Sequence, residues 1–107
     1  MIEFSDWQKI EVKIGTVLEA QKIDKSDKLL QLSVDFGDEK RQVVSGIAES
    51  YAPEDIIGKQ FAFVVNLNPR TIFGIESEAM ILAAHSENDK AVLLSPIEKV
   101  EPGSKVS

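Results

Sequence analysis

The residues best equipped for chemistry lie in two neighbouring blocks, Val64-Val65-Asn66-Leu67-Asn68-Pro69-Arg70 and Gly74-Ile75-Glu76-Ser77-Glu78-Ala79-Met80. Lying where two apolar, strand-like runs meet, they bring together an amide, a guanidinium, a hydroxyl and a carboxylate. Unlike polar groups gathered at the mouth of a β-structure suit a binding surface better than a reaction centre. The rest of the chain gives catalysis little support. His85 is the only histidine and cysteine is absent, so neither a Cys-His pair nor a Ser-His-Asp set can form within one chain. There is no glycine-rich phosphate loop and no spaced set of metal ligands. The acidic pairs Asp38-Glu39 and Glu54-Asp55 are adjacent along the chain rather than facing each other, as turn and helix-start residues would be. No catalytic residue, metal or cofactor is expected.

Composition bounds what such a surface could bind. The 107 residues, 43% of them apolar, suffice for one domain with a real core, spanning residues 1–107. Without cysteine there is no disulfide framework. The first nine residues carry Glu3 and Asp6 rather than a long apolar run, so no signal peptide is expected. Nothing approaches the ~20 consecutive apolar residues of a membrane span, and a cytoplasmic location is the default. Twelve Lys and Arg against 18 Asp and Glu give a net charge of −6, the opposite of the usual nucleic-acid footprint. The cations are unevenly spread, however. Lys22, Lys25, Lys28, Lys40 and Arg41 fall within residues 22–45, together with Asp24, Asp27, Asp35, Asp38 and Glu39. A locally positive cleft would have to be gathered by folding.

The elements that must position these groups read mainly as strands. Ile10, Val12 and Ile14 alternate with Lys9, Glu11 and Lys13, and Gly15 interrupts the run as a bulge or bend would. Leu30, Leu32, Val34 and Phe36 alternate with Gln31, Ser33 and Asp35. Gly37-Asp38 then turns the chain back into Arg41-Gln42-Val43-Val44-Ser45. Pro53, Glu54 and Asp55 suit the start of a short helix within about residues 47–58, and Gly58 suits its end. Strand period resumes at Phe61, Phe63, Val65 and Leu67, and again over Glu78 to Ala84. The expected fold is all-β: a five-stranded OB-fold barrel with a short helix between strands three and four and a C-terminal extension.

Phe61–Val65 and Ala79–Ala84 are apolar on both faces. One face fills the barrel, and the other needs cover from residues 91–107 or from a second subunit. Homodimerisation is the preferred expectation, since small domains with exposed apolar strand faces tend to associate.

Several blocks, taken together, resemble one family in order and spacing. They are Asp27-Lys28-Leu29-Leu30, Val34-Asp35-Phe36-Gly37, Glu39 to Ile47, and Asn66-Leu67-Asn68-Pro69-Arg70 followed by Gly74, Ser77-Glu78 and Met80 to Ala84. The chain resembles the tRNA-binding domain found at the C-terminus of many methionyl-tRNA synthetases and as free-standing homodimers, over about residues 4–106. The resemblance implies a non-catalytic OB-fold dimer that recognises the general form of tRNA rather than a base sequence. Such a domain works fused to a synthetase or in trans, with tRNA, a second copy of itself and a methionyl-tRNA synthetase catalytic domain as partners. The family's binding residues map onto Lys28, Asn66, Arg70, Ser77, Glu78 and Met80, with Lys40 and Arg41 as phosphate contacts.

The chemistry of these residues fits that role. Lys28, Lys40, Arg41 and Arg70 are cations for phosphates. Asn66 and Ser77 can meet bases or ribose hydroxyls, and Met80 can lie against a base face. Glu78 can accept from a base amine or hold Arg70. Each also has a plainer reading: Asn66 as a turn residue before Pro69, Met80 as core, Lys28 as an ordinary surface lysine. The family often has Lys where this chain has Asn68, a basic residue at Thr71 and Gly at Ala79, so weaker phosphate attraction is expected. The alternative function is that of the related CsaA-type secretion chaperone, which binds unfolded polypeptide, or of a dimerisation module without useful RNA affinity.

Overall fold

The structure is a computed structural model describing all 107 residues, Met1–Ser107. Its centre is one long antiparallel strand, β1 (Val12–Lys22), which serves two sides of a barrel. The C-terminal half of β1 pairs with β2 (Leu30–Asp35), in register from Thr16↔Asp35 to Lys22↔Leu30. Its N-terminal half pairs with β4 (Gln60–Val64), from Val12↔Val64 to Thr16↔Gln60. A strand can change partners this way only if it bends. The β1–β2 register shifts between Val17 and Glu19, and Gly15 lies just before that bulge. Gly15 is needed for space: a Cβ there would clash with Val34 Cγ1 and come within 2.7 Å of the Phe36 ring.

β2 turns through Gly37-Asp38 into β3 (Lys40–Ser45), the hairpin expected from the alternation, with Leu32↔Val43 and Asp35↔Lys40 in register. A short helix, α2 (Pro53–Ile56), follows, and the Asp55 carboxylate accepts from the Ala52 N–H at its start. The strand order β3-β2-β1-β4-β7, where β7 is Met80–Ile81, is the expected five-stranded barrel.

Several short elements went unread in the sequence. A four-residue helix, α1 (Phe4–Trp7), precedes the barrel. The stretch after Pro69 forms a hairpin of its own, β5 (Arg70–Ile72) with β6 (Ile75–Ser77). Residues 78–84, read as one strand, divide into β7 and β8 (Ala83–His85), and β8 pairs with β9 (Ala91–Leu93). Last, β10 (Lys105–Val106) joins the outer side of β1 at Val12↔Val106.

Two apolar clusters explain the doubly apolar strands. Inside the barrel, Leu30, Leu32, Val34, Phe36, Val43, Phe61, Phe63, Val65 and Ile81 pack together, with the Phe36 and Phe63 rings edge-to-face at 5.3 Å. Outside it, Val12, Ile14, Ala62 and Val64 pack against Leu82, Val100 and Val106. The outer face of β4, expected to await a second subunit, is thus covered by the chain's own tail. Buried Gln60 locks that cover in place: its amide N–H groups donate to Val100 O and Thr16 Oγ1, and its Oε1 accepts from Val100 N–H. Ile10 and Leu67, read as strand positions facing the core, are instead exposed. No helix is long and apolar enough to cross a membrane.

Because the space beside Gly15 is filled by core side chains rather than solvent, Gly15→Ala should cost about 1–3 kcal/mol of stability through overpacking. Urea denaturation would measure it, and an unchanged midpoint would contradict the close approach described.

Candidate nucleic-acid interface

The barrel closes between β3 and the junction of β6 with β7, and side chains stand in for part of the missing ladder there. The Glu78 N–H donates to Gln42 O at 2.8 Å, and the Glu78 carboxylate accepts the Gln42 N–H at 2.9 Å. One step along, the Ser77 hydroxyl accepts the Val44 N–H and donates to Ala79 O, both at 3.0 Å. Ser77 is 6% exposed, so its hydroxyl is satisfied inside the fold. Gln42 also reaches out, donating from its amide to Glu76 O at 2.9 Å and accepting from Gln31. The β5–β6 hairpin is therefore braced at its base against β3.

Arg41 is committed as well. Its side chain crosses the end of the barrel and donates to the carbonyls of Val65 and Glu78, while Glu39 holds the other side of the guanidinium at 2.6 Å. Asn66 follows directly and ties down the approach to the first strand: its Oδ1 accepts the Glu11 N–H and its Nδ2 donates to Lys9 O.

Beside this closure lies a cleft of about 260 Å3, lined by Val44, Ser45, Gly46, Leu67, Asn68, Arg70, Ile72, Ser77, Ala79, Met80 and Ile81. Arg70 and the 46%-exposed Met80 lie on separate elements and both line it. Lys28 is exposed but does not line it; its backbone carbonyl accepts the Ala48 N–H, two residues beyond Gly46 of the cleft wall. Lys40 does not join them. It sits at the opposite end of β3, about 17 Å away along the strand, in a groove that it shares with Arg41 and with Glu19, Gln21, Gln31 and Gln42.

The single cluster of four cations expected from the sequence is thus not formed. Of the four, only Arg70 lines the cleft; Lys28 is exposed outside its lining, Arg41 is spent on backbone carbonyls, and β3 holds Lys40 away. Leu67, Asn68 and Ile72 line the cleft although sequence reasoning did not select them. The alternation of β5 could have placed Ile72 on the Arg70 face had the hairpin been recognised. No three His, Cys, Asp or Glu side chains converge to hold a metal.

Comparison with known proteins bears on what such a cleft could hold. Residues 12–105 match the family described as "Putative tRNA binding domain". The chain is 50% identical over 105 residues to a methionine–tRNA ligase of Parabacteroides distasonis, covering 98% of this chain and 16% of that protein. It is 51% identical over 105 residues to the enzyme of Archaeoglobus fulgidus, with the same coverage. The chain therefore spans about a sixth of the length of these relatives. Among solved structures, a MetRS-related protein from Pyrococcus horikoshii superposes with a TM-score of 0.95 at 40% identity, over 100% of this chain and 98% of that one. The chaperone CsaA of Bacillus anthracis superposes with a TM-score of 0.91 at 34% identity, over 100% and 99%.

The closure bonds make a stability claim. Ser77→Ala leaves the buried Val44 N–H without an acceptor and should destabilise the protein by about 1–3 kcal/mol in chemical denaturation. A loss below about 0.5 kcal/mol would mean the hydroxyl does not close the barrel.

Proposed function

We propose, for a chain that belongs to the tRNA-binding domain family, that it binds tRNA by form rather than by base sequence. It does so as a non-catalytic cytoplasmic module, either as the C-terminal domain of a methionyl-tRNA synthetase or as a subunit acting with it in trans. The observation that carries this reading is the cleft itself. Arg70 lines it, and Leu67, Ile72 and Met80 supply apolar wall. Arg70 can hold a phosphate in the cleft, and exposed Lys28 one outside it, while the apolar wall receives a sugar or base face.

Site roles follow from this geometry. Arg70, Lys28 and Met80 touch the RNA. Ser77, Glu78, Arg41 and Asn66 position the elements that carry them, because their polar atoms are engaged within the chain. Lys40 reaches only a nucleic acid that extends along β3. With few direct phosphate contacts, the salt dependence should be shallow and the affinity modest, on the order of micromolar.

A homodimer is part of the proposal, supported by the apolar N-terminal segment. Met1, Ile2 and Phe4 are largely exposed and Trp7 and Ile10 partly so around α1, a face suited to a second copy. Light scattering at micromolar concentration should return twice the chain's mass, and a monomer's mass would remove this element.

A second reading, capture of unfolded polypeptide, is favoured by the apolar wall of the cleft and by the likeness to CsaA. One titration separates the two. Bulk tRNA is bound across a salt series, with double-stranded DNA and an unfolded polypeptide as competitors. Binding should weaken with salt and survive both competitors. Arg70→Glu or Lys28→Glu should weaken it ~10-fold or more with the oligomeric state unchanged. Displacement by the polypeptide, or parental affinity in both variants, would reject the RNA reading.

A further inference from the structure

The tip of the β5–β6 hairpin holds a bulky aromatic where the backbone calls for a small residue. Phe73 and Gly74 join the paired residues Ile72 and Ile75, with φ of 53° and 79° respectively. Two consecutive left-handed residues in a two-residue hairpin are the setting in which Asn-Gly is preferred, because a Cβ with a large side chain crowds the backbone there. Gly74 meets the requirement and Phe73 does not. Nor does burial offset its strain. Phe73 is 56% exposed, packs into neither apolar cluster and pairs with no other ring. A strained and uncovered aromatic marks a residue used for something outside the chain.

Its placement says what. The hairpin base is fixed to β3 through Ser77 and through the Gln42–Glu76 bond, so Phe73 stands on a braced arm. Arg70 lies on the same arm, about 10 Å back along β5. Arg70, Ile72, Ile75 and Ser77 share one face of the hairpin, and the nearby acid, Glu76, pairs with Thr71 on the other. A cation that lines the cleft and an exposed ring at the tip thus follow one another along the hairpin. We propose that Phe73 is a stacking platform for an unpaired base of the RNA whose backbone Arg70 engages. The inference rests on the tRNA reading and adds an aromatic anchor that selects RNA with bases out of the stack.

Three variants and two RNAs test it. Phe73→Asn removes the ring and relieves the backbone, Phe73→Leu keeps apolar bulk without the ring, and Phe73→Trp keeps a ring. Each is titrated with bulk tRNA and with a blunt-ended RNA duplex, and melting is followed in parallel. Phe73→Asn should melt at or above the parental temperature yet bind tRNA ~10-fold more weakly, with an unchanged salt slope because no phosphate contact is lost. Phe73→Leu should share that loss, Phe73→Trp should retain affinity, and none should change duplex binding. If the parent binds no tRNA, the functional reading itself fails. If the parent binds tRNA and both ring-less variants bind it equally well, only the aromatic anchor is overturned. Equal losses on tRNA and duplex would also overturn it.

Discussion

The side-chain closure of the barrel is the constraint on which everything else depends. Beyond Val65 the chain leaves β4 for a loop and a separate hairpin, so β3 cannot find a continuous strand partner on that side. Ser77 and Glu78 supply hydroxyl and carboxylate oxygens where backbone carbonyls would otherwise accept, and the Val44 and Gln42 N–H groups are satisfied. Unmet, those donors would sit at a buried seam, at a cost comparable to that of any orphaned backbone group. The same bonds anchor the hairpin, and the hairpin forms one side of the cleft. Site and closure share their residues.

That sharing redistributes the roles of the polar groups. Arg41 looks like a phosphate ligand by type. In place, its guanidinium joins the ends of three segments through Val65, Glu78 and Glu39. Asn66 looks like a base-reading amide and instead fastens the stretch from Lys9 to Glu11. What stays free for a ligand is a smaller, amphipathic set: Arg70, Lys28, Asn68 and an apolar wall. On a molecule of net charge −6, long-range attraction to a polyanion is weak. Recognition in the proposed role then leans on short-range fit and on stacking more than on charge.

The fold was largely legible because period-2 alternation survives wherever a strand has one buried face. The β2–β3 hairpin and the inward row Phe61, Phe63, Val65 follow directly from it. The signal failed where strands are too short to show a period, as in β5, β6 and β10, and where apolar residues line both faces. In β4 the sequence could not say whether Ala62 and Val64 meet a partner subunit or the tail. The Gln60–Val100 bonds, linking residues forty positions apart, hold the tail over that face. Residue type likewise named the groups around the cleft but not their partners. Whether a serine faces solvent or a backbone N–H depends on a closure spanning more than thirty residues. The Phe73-Gly74 turn was open to reading, since glycine after an aromatic between two short apolar runs is a hairpin signal that type alone understates.

The central claim is that RNA enters the cleft between β3, β7 and the β5–β6 hairpin rather than the groove that holds Lys40. Amide chemical-shift mapping of the isotopically labelled protein during a tRNA titration tests it most directly. The account predicts that the largest changes fall on Ser45, Gly46, Asn68, Arg70 to Gly74 and Met80. Changes concentrated instead on Glu19 to Lys22, Gln31 and Ser33, with the cleft unmoved, would contradict it.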